Sequence, residues 1–287
     1  MLDQALHAAL ASARTFLFVP ANRPERYAKA LASGADAVIV DLEDAVAPSE
    51  KQAARQSLMQ AVAGLENARR SRVLVRINAA GTAWQADDLA ALRLLAAQGF
   101  GAVMVPKAES AATLAEVAAA IGPTGALLPL IESVAGLDAI DTLAACPQVL
   151  RLVFGHLDFQ ADAGLACGVD ESELTSVRLA FVLASRRAGL AAAVDGVSLG
   201  TGDVSQLNLD ATRARRGGFG GKLCIHPAQV GVVNAAFTPS ADELVWAKRV
   251  VDTFQAAGGG VFSLDGRMVD APVLRLAQRT LAQLRSN

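Results

Sequence analysis

The chain is 287 residues long and sets 26 Lys and Arg against 28 Asp and Glu, a formal net charge of −2. A composition that is 53% hydrophobic and 19% charged supports a sizeable core and excludes global disorder. The near-neutral balance argues against a nucleic-acid binder, which usually carries a basic excess or stripe.

The opening MLDQALHAAL has an acidic residue and no basic stretch before its apolar residues, so it does not read as a signal peptide. No run of about 18 apolar residues is present to span a bilayer. The nearest, 117–131, is broken by Gly122, Pro123 and Gly125. These features predict a cytoplasmic protein with no membrane partner. Short apolar, β-branched runs then recur at 15–19, 37–43, 72–78, 102–107, 127–133, 151–158, 192–197 and 222–227. Between them, segments at 23–33, 50–64, 87–98, 111–120, 136–145, 172–188 and 207–215 have helical character. Strands alternating with helices indicate parallel βαβ units. At roughly 30 residues per unit the simplest closure is an α/β (β/α)8 TIM barrel, with a doubly wound open sheet as the alternative. No GxGxxG follows the first strand and no GxxxxGK[ST] occurs. Arg213, Arg215 and Arg216 read as a solvated helix end, and Cys146, Cys167 and Cys224 as reduced, packed thiols.

After the eighth strand the pattern changes. Residues 241–257 predict a helix, 258–260 a hinge, 261–269 a hairpin turning at Asp265-Gly266, and 273–285 a final helix. The expected organisation is a barrel over 1–235 and a helix-hairpin-helix appendage over 236–287.

Residues two apart in a strand share a face. That rule aligns Ile39, Asp41 and Glu43; Leu74, Arg76 and Asn78; Leu128, Leu130 and Glu132; and Leu152, Phe154, His156 and Asp158. Each series starts apolar and ends in polar or charged residues at the carboxyl end, where parallel barrels place their active sites. Asp41, Glu43, Asp44, Arg76, Lys107, Glu132 and Asp158 are thereby expected around one mouth. So many carboxylates repel unless a cation joins them, and oxygen ligands without Cys favour Mg²⁺ or Mn²⁺ over Zn²⁺. Arg76 offers a planar fork for a substrate carboxylate. The plainer readings are helix capping by Asp41 and Asp44, an ion pair from Arg76 to Asp41 or Glu43, and a salt bridge from Lys107 to Glu109 or a mouth carboxylate. His156 and His226 have no partner at a recognisable spacing and read as structural.

The stretches FLFVPANRPERYAKAL, ADAVIVDLEDAVAPSEK, VLVRINAAGT, VMVPKAES, PLIESVAG, FGHLDFQADAG, GKLCIHPAQV and DGRMVDAPVL follow one another across nearly all of 14–275. In that order they resemble the citrate lyase β-subunit family, within the HpcH/HpaI-type aldolases and malyl-CoA lyases. The resemblance implies a barrel that cleaves or forms a carbon–carbon bond in a 3-hydroxyacyl-CoA thioester, using Mg²⁺ held by Glu132 and Asp158. It implies that Arg76, with Glu132, binds the 2-keto acid, and that Arg23 and Lys29 lie near CoA phosphates. It further implies that Asp270, delivered to a neighbouring subunit of a trimer or hexamer, serves as acid/base. The segment SLGTGDVSQL departs from the expected pattern and leaves substrate size open. Rival readings are a malyl-CoA-type thioesterase, a CoA-independent hydroxy-keto-acid aldolase and a non-catalytic CoA-binding assembly subunit.

Overall fold

A computed structural model of the chain describes residues 4–256 and 260–283. Its first half runs α1 (Gln4–Ser12), β1 (Thr15–Pro20), α2 (Tyr27–Ala32), β2 (Ala37–Asp41), α3 (Lys51–Ala63), α4 (Asn67–Arg70), β3 (Val73–Arg76), α5 (Gln85–Ala96) and β4 (Ala102–Val105). There follow α6 (Ala111–Ile121), β5 (Ala126–Ile131), α7 (Val134–Asp138), α8 (Ile140–Ala144), β6 (Val153–Phe154) and α9 (His156–Ala163). Then come α10 (Thr175–Arg187), β7 (Val194–Asp195), α11 (Val204–Arg216), β8 (Gly221–Cys224) and α12 (Pro227–Phe237). All eight strands pair in parallel and close into a barrel, β8 joining β1 through Thr15↔Lys222, Phe16↔Leu223 and Leu17↔Cys224. The barrel is therefore closed, not an open sheet.

Strands such as Ala37–Asp41 and Val73–Arg76 are buried along their whole length, as strands covered on both faces must be. One face of each fills the interior: Phe16, Ile39, Leu74, Met104, Leu128, Leu130, Val153, Val194 and Leu223 pack together. Leu6 and Leu10 of α1 join that cluster and plug the amino end. Arg151, fully buried, fixes the plug by donating to the carbonyls of Leu10 (3.0 Å), Ala13 (2.6 Å) and Ala192 (2.6 Å). The Leu10 and Ala13 carbonyls lie at the end of α1 and in the loop after it, where backbone acceptors lack helical partners. Burial lowers the Arg151 guanidinium to about 9.

The strands stop earlier than their sequence pattern. The run at 151–158 yields a strand of only Val153 and Phe154, and His156 opens α9. Gly155 is the break. Glu132 packs so closely that a Cβ on Gly155 would lie 2.6 Å from Glu132 Cβ and 2.7 Å from its Oε2. The expected shared face of Leu152, Phe154, His156 and Asp158 is accordingly corrected. Val153 is the interior residue, Phe154 stacks on Phe181 of α10, and Asp158 sits in the first turn of a helix. Helices α1, α4, α9 and α12 have no counterpart in the sequence reading.

The chain divides into two compact units between Asn234 and Ala235. In the second, α13 (Ala241–Ala256), β9 (Phe262–Leu264), β10 (Arg267–Val269) and α14 (Ala271–Ala282) bury Ala247, Val250, Val269 and Ala277. The hairpin turns at Asp265 (φ 52) and Gly266 (φ 74), as a two-residue turn with two left-handed positions demands. Asp270 caps α14, accepting a hydrogen bond from Val273 N at 3.1 Å, so the helix starts at Ala271 and not at 273. The expected hinge falls on Gly258 and Gly259, and the expected helix end on Arg285; all three lie outside the described residues.

Candidate active site

The strand register builds the mouth. Asp41 ends β2 directly beside Arg76, which ends β3. Arg76 Nε and Nη2 donate to Asp41 Oδ1 and Oδ2, both at 2.7 Å, so the guanidinium fork is taken by Asp41. Its Nη1 lies 2.9 Å from Glu43 Oε2 and 3.3 Å from Asp44 Oδ2. Asp41 also accepts from Glu43 N (2.9 Å) and Ala45 N (3.1 Å), so it both pairs with Arg76 and caps the turn that follows. Behind this turn, buried Lys51 donates to the carbonyls of Leu42 (2.6 Å) and Glu43 (2.7 Å), with its Nζ over the Trp84 ring.

Glu132 follows β5, is 5% exposed and accepts from Lys107 N at 2.8 Å. Lys107 thus serves through its backbone, held at φ 45, while its side chain is exposed; the expected pairing with Glu109 is replaced by a bond from Ser133 Oγ to Glu109 at 2.6 Å. A cavity of about 780 Å³ opens at this end of the barrel. It is lined by Asp41, Asp44, Arg76, Glu132, His156 and Asp158 on its polar side, by Arg26 and Lys29 from the segment after β1, and by Phe18, Val197, Leu199 and Ile225 as an apolar wall. Among the residues expected near a phosphate, Lys29 lines the cavity. Arg23 is instead bonded to Glu25 at 2.6 Å, and Arg26, not singled out in the sequence, takes a place in the lining.

Burial drives the carboxyls here upward. Glu43 is pushed up to about 8 by desolvation, against the attraction of Arg76 and with the help of Asp44, Glu132 and Asp41. Glu132 rises to about 7 by desolvation, opposed by the Lys107 N–H and aided by Asp158. Glu43 Oε2 is buried and has no aligned hydrogen bond among the described residues, despite its ion-pair contact with Arg76. The mouth is short of positive charge. Among the described residues no group of three or more His, Cys, Asp or Glu side chains is arranged around a metal position. Glu132 and Asp158 line the same cavity and could supply two oxygen donors, a number that suits Mg²⁺, which retains several waters and takes one or two carboxylates.

His156 has a partner that its sequence spacing does not show. Its Nε2 lies 3.2 Å from Glu171 Oε1, a partner 15 residues on that no local spacing reveals. Glu171, itself in the left-handed region at φ 49, also meets Arg178 Nη2 and Arg213 Nη2 (2.8 Å). Arg213 is therefore turned inward and is not a solvated helix end. Arg178 Nε continues to buried Asp195 Oδ1 (3.1 Å), and Lys222 Nζ donates to the Gly196 carbonyl at 2.6 Å. Burial works to raise Glu171, but the hydrogen bond from His156 and the charges of His156 and Arg178 hold it down at about 2. His226 is exposed, lines the cavity and accepts from Ala228 N through Nδ1 at 3.2 Å.

A closed parallel barrel with convergent carboxylates at the carboxyl ends of its strands has the layout of a TIM-barrel enzyme. The chain belongs to the HpcH/HpaI aldolase/citrate lyase family, whose sequence profile matches residues 14–227. It is 40% identical over 271 residues to a citrate lyase subunit beta-like protein of Mycobacterium tuberculosis, covering 93% of each chain. It is 34% identical over 273 residues to a (3S)-malyl-CoA thioesterase of Cereibacter sphaeroides, covering 94% of each. Among solved structures it superposes with a TM-score of 0.82 on CitE from M. tuberculosis in complex with magnesium, acetoacetate and coenzyme A. That match has 38% identity and covers 95% of this chain and 98% of the other. Among the described residues no helix is long and apolar enough to cross a membrane.

Proposed function

We propose that the protein is a Mg²⁺-dependent carbon–carbon lyase acting on a 3-hydroxyacyl-CoA thioester of the citryl-CoA or malyl-CoA type. The observation that carries this reading is one cavity lined both by the under-neutralised carboxylate Glu132 with Asp158 beside it and by the basic pair Arg26 and Lys29. The first pair would hold Mg²⁺, an ion that the solved relative also contains. Bound there, the ion would act as a Lewis acid toward the keto-acid half of the substrate.

The chain's own groups do the rest. Arg76 Nη1 is the face of the guanidinium not taken by Asp41, so a substrate carboxylate would take the place of exposed Asp44 beside it. Arg26 and Lys29, with Arg23 three residues earlier, would meet the CoA phosphates. Cleavage requires a base for the hydroxyl proton and an acid for the carbon left on the thioester. Asp270 is proposed for this role, brought to a neighbouring subunit by the second unit; capping α14 engages its Oδ1 and a carboxylate keeps a second oxygen for proton transfer. Mixing inactive Asp270→Ala chains with inactive Glu132→Ala chains should restore part of the activity. Mixtures that exchange subunits and stay inactive would remove the composite site.

A second reading, hydrolysis of the same thioester, is favoured by the 34% identity to a malyl-CoA thioesterase. Mass spectrometry separates the two. Protein incubated with Mg²⁺, acetyl-CoA or propionyl-CoA, and glyoxylate, pyruvate or oxaloacetate should yield the condensed 3-hydroxyacyl-CoA. Free CoA with intact hydroxy acid from a malyl-CoA-type ester, and no condensation, would establish hydrolysis instead.

A further inference from the structure

The loop after β7, within the SLGTGDVSQL segment, and the loop after β8 supply Leu199 and Ile225 to the apolar wall of the cavity. The paired register of β7 and β8 ends at Asp195↔Lys222, and among the described residues no backbone hydrogen bond joins the two loops beyond it. One side chain does. Gln229, 1% exposed on α12, accepts from Ile225 N (2.8 Å) and His226 N (3.2 Å) through Oε1. Its Nε2 donates to the carbonyls of Ser198 (2.8 Å) and Gly200 (3.3 Å). Two accepted and two donated bonds use the whole capacity of an amide. The first loop is anchored on its other side by Ser198 Oγ, which donates to Asp210 Oδ2 at 2.6 Å. Between these ties Leu199 is 66% exposed and Ile225 40% exposed, yet both line the cavity. Apolar side chains held out of the core by a buried amide have something other than the core to meet.

We propose that Gln229 is a positioning residue for thioester recognition: by locking the two loops together it fixes Leu199 and Ile225 as a wall for the aliphatic acyl-pantetheine portion of the substrate. The inference rests on the thioester reading given above. It accounts for the unusual segment after β7 as a substrate-facing loop tied to the adjacent strand's loop.

Gln229→Glu is nearly isosteric, keeps the acceptor half and turns a carboxylate toward two carbonyl oxygens; Gln229→Met removes both halves. In variants that still melt cooperatively, KM for the acyl-CoA should rise about tenfold, while kcat stays within about threefold and Mg²⁺ affinity by calorimetry is unchanged. Hydrogen exchange should accelerate at the amides of 225 and 226. Wild-type KM in both folded variants, or losses of kcat, substrate binding and Mg²⁺ affinity together in step with melting temperature, would overturn the assignment. Should the wild-type protein turn over no CoA ester, the thioester reading fails by itself. Exchange at 225–226 then still judges the clamp, since unchanged rates in Gln229→Met would refute it.

Discussion

At the ends of β2, β3 and β5, joined by Asp158 from the first turn of α9, the barrel mouth sets Asp41, Glu43, Asp44, Glu132 and Asp158 against Arg76 and Lys51. On the side of β6, β7 and β8, Glu171, Asp195 and Asp210 are matched by Arg178, Arg213 and Lys222. Glu43 and Glu132 in the first group and Glu171 and Asp195 in the second are largely buried, and these carboxyls move in opposite directions. Glu43 and Glu132 are driven up to about 8 and about 7 because desolvation has too little positive charge to oppose it. Glu171 is held at about 2, and Asp195 is lowered although fully buried, because Lys222 and Arg178 outweigh desolvation. A cluster whose charges are saturated suits holding a fold together, whereas one with unsaturated charge suits receiving a cation.

The largest expected effect lies at the unsaturated cluster. Glu132→Ala or Asp158→Ala should cost at least about a hundredfold in activity, beyond the range for groups that only support a metal ligand. The metal-free melting temperature of Glu132→Ala should stay level or rise, because a poorly compensated buried carboxyl is removed. A folded, fully active variant would break the comparison at its functional end.

The opposite outcome is expected across the barrel. Glu171→Ala leaves Arg178, Arg213 and His156 without their shared carboxylate, and should destabilise the fold by about 2–4 kcal/mol, read by denaturant unfolding. Unchanged stability would mean that the matched charges are not structural. Gly196→Ala should act more mildly on the same cluster. A Cβ there would collide with Nδ1 of His156 and push the ring off Glu171, costing about 1–3 kcal/mol by the same measurement.

The smallest effects are in pH dependence, and their signs differ. Glu43 binds its proton more tightly folded than unfolded, so metal-free stability should decline as pH rises from about 4.5 to about 8. Glu171 binds its proton less tightly folded, so its contribution is present above about 4.5 and lost as pH falls toward about 2. Thermal melts should therefore show Glu43→Gln flattening the alkaline side and Glu171→Gln the acid side. Exchange of these two signatures would contradict the assignment of the clusters.

The unsaturated cluster was largely legible in the sequence and the saturated one was not. Strand periodicity aligns Ile39 with Asp41 and Leu74 with Arg76, and register then makes Asp41 and Arg76 neighbours. Strand ends carry their chemistry in order along the chain. The Glu171 cluster has no such order: it joins a helix start, a left-handed loop residue, two later helices and two strands, none at a periodic spacing. Gly155 misled for a related reason. Alternation continues through it in the sequence, but the approach of Glu132 ends the strand there and carries Asp158 onto a helix. The plug formed by α1 was missed because its anchor, Arg151, reads as an ordinary strand-end cation until three carbonyls are seen around it.

Titration calorimetry of Mg²⁺ into the metal-free protein tests the central claim most directly, with Glu132→Ala, Asp158→Ala and Glu171→Gln compared under one condition where all remain folded. The account predicts binding to the wild type and to Glu171→Gln, and its loss in both mouth variants. Unchanged Mg²⁺ affinity in Glu132→Ala and Asp158→Ala would show that the under-neutralised mouth is not where the cation goes.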